Sequence, residues 1–186
     1  MRQRRVQSGS LLVVAALLVA ACSDNAGLGN ANIPNVVDTI SLYALDRTPI
    51  ALPSGFVIKG NSVVRTDLVG GFDFAFNITA AGQPVLLPTG ALDLGVASGV
   101  QVQGASFEAL TLAPTSRYVD SLPVPIDSGT VAVVRSRPVS DFCGVVYYYG
   151  KVEVLAIDPT ARRVDLQILT DQNCGFRGLE PGLPRR

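Results

Sequence analysis

The clearest alternation in the chain lies at Phe72, Phe74, Phe76 and Ile78, which fall on one face with Asp73, Ala75 and Asn77 on the other. A period of two is the mark of a half-buried strand. Val164, Leu166 and Ile168 alternate in the same way with Asp165 and Gln167. Val131, Val133 and Val134 lead into Arg135 and Arg137, a strand that turns polar toward its end. Two strand-like runs between residues 151 and 170 flank Asp158-Pro159-Thr160-Ala161-Arg162. Proline suits the second position of a type I turn and cannot continue a central strand, so the pattern predicts a hairpin there. Further strands are expected near 36–45, 56–59, 62–68, 85–87, 92–95, 99–103, 107–112 and 144–149. Residues 107–112 are also the one piece that would suit a short helix. About ten short strands separated by Pro and Gly predict an all-β domain, an antiparallel β-sandwich or partly open barrel, over residues 36–180.

Composition agrees with that pattern. Beyond residue 21 the chain holds 21 Val, 8 Ile and 10 Thr but only 3 Glu, 2 Lys and no Met. β-branched residues pack well on a pleated sheet, and the scarce residues are strong helix formers. Residues 22–35, rich in Gly, Asn and Ala without a hydrophobic period, read as a flexible tether, and 181–186 as a loose tail.

The N-terminus has a different pattern. Arg2, Arg4 and Arg5 precede an unbroken apolar run over residues 11–21. Eleven residues at about 1.5 Å rise reach only half of a ~30 Å hydrocarbon core, so the run fits an export signal and not a membrane span. The general secretory route is favoured over the twin-arginine route, because Val6, Gln7 and Ser8 do not extend a twin-arginine pattern. The run ends Leu18-Val19-Ala20-Ala21-Cys22. An aliphatic residue and two small ones directly before cysteine resemble the lipobox of bacterial lipoproteins. The competing reading is an ordinary signal peptide cut after Ala21. The resemblance covers residues 1–22 alone, and the mature domain resembles no family. It implies cleavage of residues 1–21, a diacylglyceryl thioether on Cys22 and, usually, an acylated amino group. Two or three acyl chains hold stably where one holds marginally. Ser23 in place of Asp after the cysteine resembles the enterobacterial pattern for the outer membrane. The expected location is therefore the cell envelope, with the membrane as partner through the lipid.

Cleavage would leave 12 basic against 15 acidic residues, a net charge near −3. No basic stripe remains, which argues against nucleic acid as a partner. The two other cysteines, Cys143 and Cys174, sit at the outer ends of the expected hairpin, and an exported chain folds where disulfides persist. A structural bridge is expected; a redox pair or metal site would call for CxxC spacing or histidine, and the chain has neither.

Histidine is absent throughout, which removes Ser-His-Asp and Cys-His catalysis and most zinc, copper and iron sites. No GxSxG, GxGxxG, P-loop or DxDxDG spacing occurs. Lys151, beside Tyr149 in an expected strand, reads as solvent-facing. The Asp residues fall mostly beside turns, where they cap the local backbone. Asn77-Ile78-Thr79 has the form of a glycosylation acceptor but lies in an expected strand.

The densest unusual chemistry is Tyr147-Tyr148-Tyr149, with Arg135, Arg137, Asp141, Phe176 and Arg177 near in sequence or through the expected bridge. Tyrosine with arginine is the usual material of a recognition surface, so Arg135, Arg137, Tyr147, Tyr149 and Arg177 form the candidate patch. The plainer reading is that the tyrosines cover a sandwich edge and the arginines pair with local carboxylates. The sequence thus points to a non-catalytic binding or structural module without cofactor or metal. Its partner would be an envelope protein or a small ligand. The alternative is an exported hydrolase whose carboxylate pair only the fold assembles.

Overall fold

The computed structural model describes residues 30–69, 71–95 and 98–185. The leader, Cys22 and residues 22–29 of the expected tether lie outside them. The chain is all-β. Its strands are β1 (Val37–Tyr43), β2 (Gly55–Val57), β3 (Ser62–Val64), β4 (Phe74–Ile78), β5 (Pro84–Pro88), β6 (Gly99–Gln103), β7 (Val124–Pro125), β8 (Val131–Arg135), β9 (Val139–Asp141), β10 (Gly144–Val146), β11 (Tyr149–Asp158) and β12 (Arg163–Asp171). All pair antiparallel. One sheet has the order β1-β12-β11-β8-β6 and the other β3-β2-β4-β5-β7, while β9 and β10 form a separate hairpin. The result is a β-sandwich, and of the two expected architectures the barrel does not form.

The inter-sheet core shows why these strands lie where they do. Leu42, Val134, Val152, Val154, Val164, Leu166 and Ile168 from the first sheet meet Phe56, Phe74, Phe76, Ile78, Leu86 and Val124 from the second. Val164, Leu166 and Ile168 are the alternating positions of β12, so the period of two marks the core face directly. β8 differs because both its faces are covered. Ala132 and Val134 face the inter-sheet core, whereas Val131 and Val133 join a second cluster with Phe107, Leu110, Ala113, Tyr149 and Leu179 on the outer face of the first sheet. That outer face lies beneath residues 104–119 and the C-terminal segment, whose backbones pair through Ala113 N–H to Arg177 O at 2.9 Å and Leu179 N–H to Thr111 O at 2.8 Å.

The turn between β11 and β12 forms at the expected place, with Asp158 opposite Arg163. Asp158 Oδ1 accepts from the backbone N–H groups of Thr160 and Ala161, each at 2.9 Å, which is the local capping that Asp brings to turns. Two expected strands are absent. Residues 89–92 form a 3-10 turn, Asp93 takes a left-handed φ of 54°, and the loop is closed by Thr89 and Ser98, each backbone N–H donating to the other's hydroxyl. Residues 107–112 form turns and a single bridge from Leu112 to Gly178, neither strand nor helix.

The two ends of the sandwich differ. One end carries the turns at 44–53, 79–83 and 159–162. The other carries the β9–β10 hairpin, the loop after β12 and the point where the N-terminal chain joins the domain. Residues 30–35, expected as tether, are fastened there. Asn173 Oδ1 accepts from Asn32 N–H at 2.9 Å and Ile33 N–H at 3.0 Å, and its Nδ2 donates to Ile33 O at 2.8 Å. Asn35 and Gly182 exchange backbone hydrogen bonds of 2.7 and 2.9 Å, so part of the expected loose tail is also paired.

Candidate functional site

The candidate Tyr/Arg patch divides in two. On the outer face of the first sheet, Gly99, Arg135, Tyr149 and Asp171 stand side by side across β6, β8, β11 and β12. The Arg135 guanidinium lies between two rings, 4.7 Å from the centre of Tyr118 and 4.6 Å from that of Tyr147. Gly99 is required for this packing, because a Cβ there would stand 2.5 Å from Tyr118 Cβ. Arg177 donates from Nε to Ala113 O at 2.9 Å and lies near Tyr118 and Tyr149. Burial pushes both of these phenols up, and the two arginines offset part of that rise. Arg135, Tyr147, Tyr149 and Arg177 are thus gathered around Tyr118, a residue the sequence pattern did not single out. Arg135 stacks between tyrosines and Arg177 holds the Ala113 carbonyl, where the plainer reading expected pairing with carboxylates.

Arg137 is not part of it. Strand β8 ends at Arg135, and the Ser136 hydroxyl takes over, accepting from Tyr148 N–H at 2.8 Å and donating to Arg137 O at 2.6 Å. The chain then crosses toward the second sheet, where Arg137 meets Asp73. Its backbone N–H donates to Asp73 Oδ1 at 3.0 Å and its Nε at 3.4 Å, while Asp73 Oδ2 accepts from Ile58 N–H at 2.7 Å. Asp73 therefore ties β2, β4 and the end of β8 together.

Lys151 corrects the expectation of a solvent-facing lysine. Its side of β11 points outward from the sandwich, but residues 104–119 cover that face, leaving the residue 1% exposed. Nζ donates to Phe107 O at 2.5 Å and Leu110 O at 3.0 Å and stands 4.4 Å from the Phe107 ring centre. Burial pulls its pKa below the ordinary lysine value, with weak opposing help from Glu108 and Glu180. The ammonium pegs the covering loop to the sheet.

The third group lies at the hairpin end. The Tyr148 hydroxyl donates to Asp141 Oδ2, and Lys59 Nζ sits 2.7 Å from the same oxygen. The Lys59 bond first, then the Tyr148 bond, hold the Asp141 carboxyl down at about 2, and burial pushes the Tyr148 phenol up. Cys143 and Cys174 are disulfide-bonded with Cα atoms 6.3 Å apart, as the export reading expects. The bridge joins the hairpin to the loop after β12, and between them opens a groove of about 410 Å³. Asn30, Ile33, Phe142, Gln172 and Phe176 are among the residues that line it. Close by, Asp171 is fully buried; Oδ1 accepts from Asn173 N–H and Nδ2 at 2.8 and 2.9 Å, and Oδ2 has no partner. Burial pushes that carboxyl up.

No protein-family model matches this chain, and it is significantly similar to no curated protein and no solved structure. Function must therefore be argued from the groups themselves. Several polar side chains that chemistry would draw on hold backbone instead. Asp38, Asp141, Asp158 and Asp171 each accept from a backbone N–H one to three residues onward. Asn77 is held in β4, its amide donating to Asp46 Oδ2 at 2.8 Å. Among the described residues, no three of Cys, Asp or Glu cluster in a way that would hold a metal ion.

Proposed function

We propose that this chain is a lipid-anchored protein of the cell envelope, held at Cys22 in the outer membrane in preference to the inner. Its β-sandwich acts there as a non-catalytic binding or structural module. The observation that carries the reading is the Cys143–Cys174 bridge in a chain whose leader ends Leu18-Val19-Ala20-Ala21-Cys22. Disulfides persist in oxidising compartments, and the leader supplies the route to one. The fastening of residues 32–35 onto Asn173 and Gly182 gives the anchored chain a fixed point of attachment. The module reading is supported by the work its polar groups do: Lys151, Asp73 and Asp141 stabilise loops and join the sheets. A partner protein or small ligand would find a concave surface in the groove of about 410 Å³ beside Phe142.

The test is metabolic labelling with palmitate in the native host. The wild-type chain takes up label and fractionates with membranes, whereas Cys22→Ala takes up none. Labelled Cys22→Ala, or an unlabelled wild type, contradicts the anchor.

A further inference from the structure

We propose that the tip of the β9–β10 hairpin, Phe142 with Val145 and Ile33 beside it, lies in the interface of the same bilayer that holds Cys22. The inference rests on the anchored reading above and adds a second, protein-borne contact to it. Among the described residues, Phe142, at 85%, is the most exposed of the exposed large apolar side chains and the only aromatic in that group. Val145 on the next strand is 72% exposed and Ile33 42%. An aromatic projecting this far costs free energy in water, whereas apolar side chains such as phenylalanine are buried favourably at the headgroup–acyl boundary of membranes.

Position supplies the occupant. Ile33 and Phe142 line the same groove as Asn30, where the described chain begins. Seven residues separate Cys22 from Asn30, and the eight steps between them span at most about 28 Å when fully extended. The nine residues of β12 alone run roughly 30 Å. A lipid on Cys22 therefore keeps the Phe142 end within reach of the bilayer, and the turns at 44–53 and 159–162 lie at the far end of the sandwich. Charge at the base of the hairpin does not oppose contact, because Lys59 and the Tyr148 hydroxyl both engage the Asp141 carboxylate. The disulfide and the Asn173 hydrogen bonds fix hairpin and N-terminal chain relative to each other.

The chain contains no tryptophan, so a single substitution introduces a unique fluorophore. Full-length lipidated protein carrying Phe142→Trp is reconstituted in vesicles of phosphatidylethanolamine and phosphatidylglycerol with brominated acyl chains. Ile50→Trp, at the opposite end and 72% exposed, is the comparison. The Phe142→Trp indole is expected to shift to the blue and to be quenched at least about twofold more than the Ile50→Trp indole, as a side chain at headgroup level would be. Equal quenching in protein that floats with the vesicles overturns the contact and leaves the anchor standing. Protein that does not float overturns the anchor and the contact together.

Discussion

Asp73→Ala lowers the free energy of unfolding by about 2–5 kcal/mol, the cost of leaving its backbone donors without an acceptor. The carboxylate is 2% exposed and accepts from Ile58 N–H, Arg137 N–H and Arg137 Nε. Alanine leaves two backbone N–H groups without an acceptor at a buried position, each worth about 1–3 kcal/mol. It also frees the point where the end of β8 is tied to the second sheet. Arg137→Ala is expected to cost less, because its backbone N–H remains and its side chain is one-third exposed. Urea denaturation reads both. The expected result is a lower midpoint with an unchanged slope. A loss under about 1 kcal/mol for Asp73→Ala, the range of an ordinary surface change, would show that the inter-sheet tie does not stabilise the fold.

Removing the disulfide has the second large effect. Cys143 and Cys174 are 31 residues apart in sequence, and closing a loop of that length constrains the unfolded chain by about 3.7 kcal/mol in the chain-entropy treatment. The Cys143→Ser/Cys174→Ser double variant is expected to lose about that much stability. The loss has a local face as well, since the bridge holds the two walls of the groove. Hydrogen exchange should quicken at 142–146 and 172–176 before it quickens in β11 and β12. Unchanged stability and uniform exchange would mean that the walls hold without the bridge.

The strands that could be read from sequence are those with one face in the core and one outside it. Val164, Leu166 and Ile168 announce their burial because Asp165 and Gln167 between them do not share it. The run Phe72 to Ile78 was legible only from Phe74 onward. The chain bends at Asp73, which turns Phe72 to the outer cluster with Val85 and Leu87 while Phe74 and Phe76 face the inter-sheet core. That bend answers to Ile58 and Arg137, 15 and 64 residues away, so no local pattern encodes it.

The candidate site was legible in chemistry more than in place. Arg135 and Arg137 are two residues apart and would share a face if β8 continued, but the Ser136 hydroxyl ends the strand between them. Lys151 has the alternation of an outward position, and outward is where it points. What covers it is the loop at Phe107 and Leu110, more than 40 residues earlier. Tyr118 and Asn173 gave no signal because each acts through a neighbour that only the fold supplies. The cysteine pair was legible because, with Cys22 set aside as the expected lipidation site, the two remaining cysteines allow one pairing.

The central claim is that an acylated Cys22 holds an oxidised β-sandwich outside the cytosol. Intact mass spectrometry of the native protein, extracted from membranes without reductant, tests it most directly. The account predicts a chain that begins at Cys22, carries the mass of two or three acyl chains and is two hydrogens lighter for the Cys143–Cys174 bond. Recovery of the whole 186-residue chain from the cytosol, leader intact and all three thiols free, would contradict it.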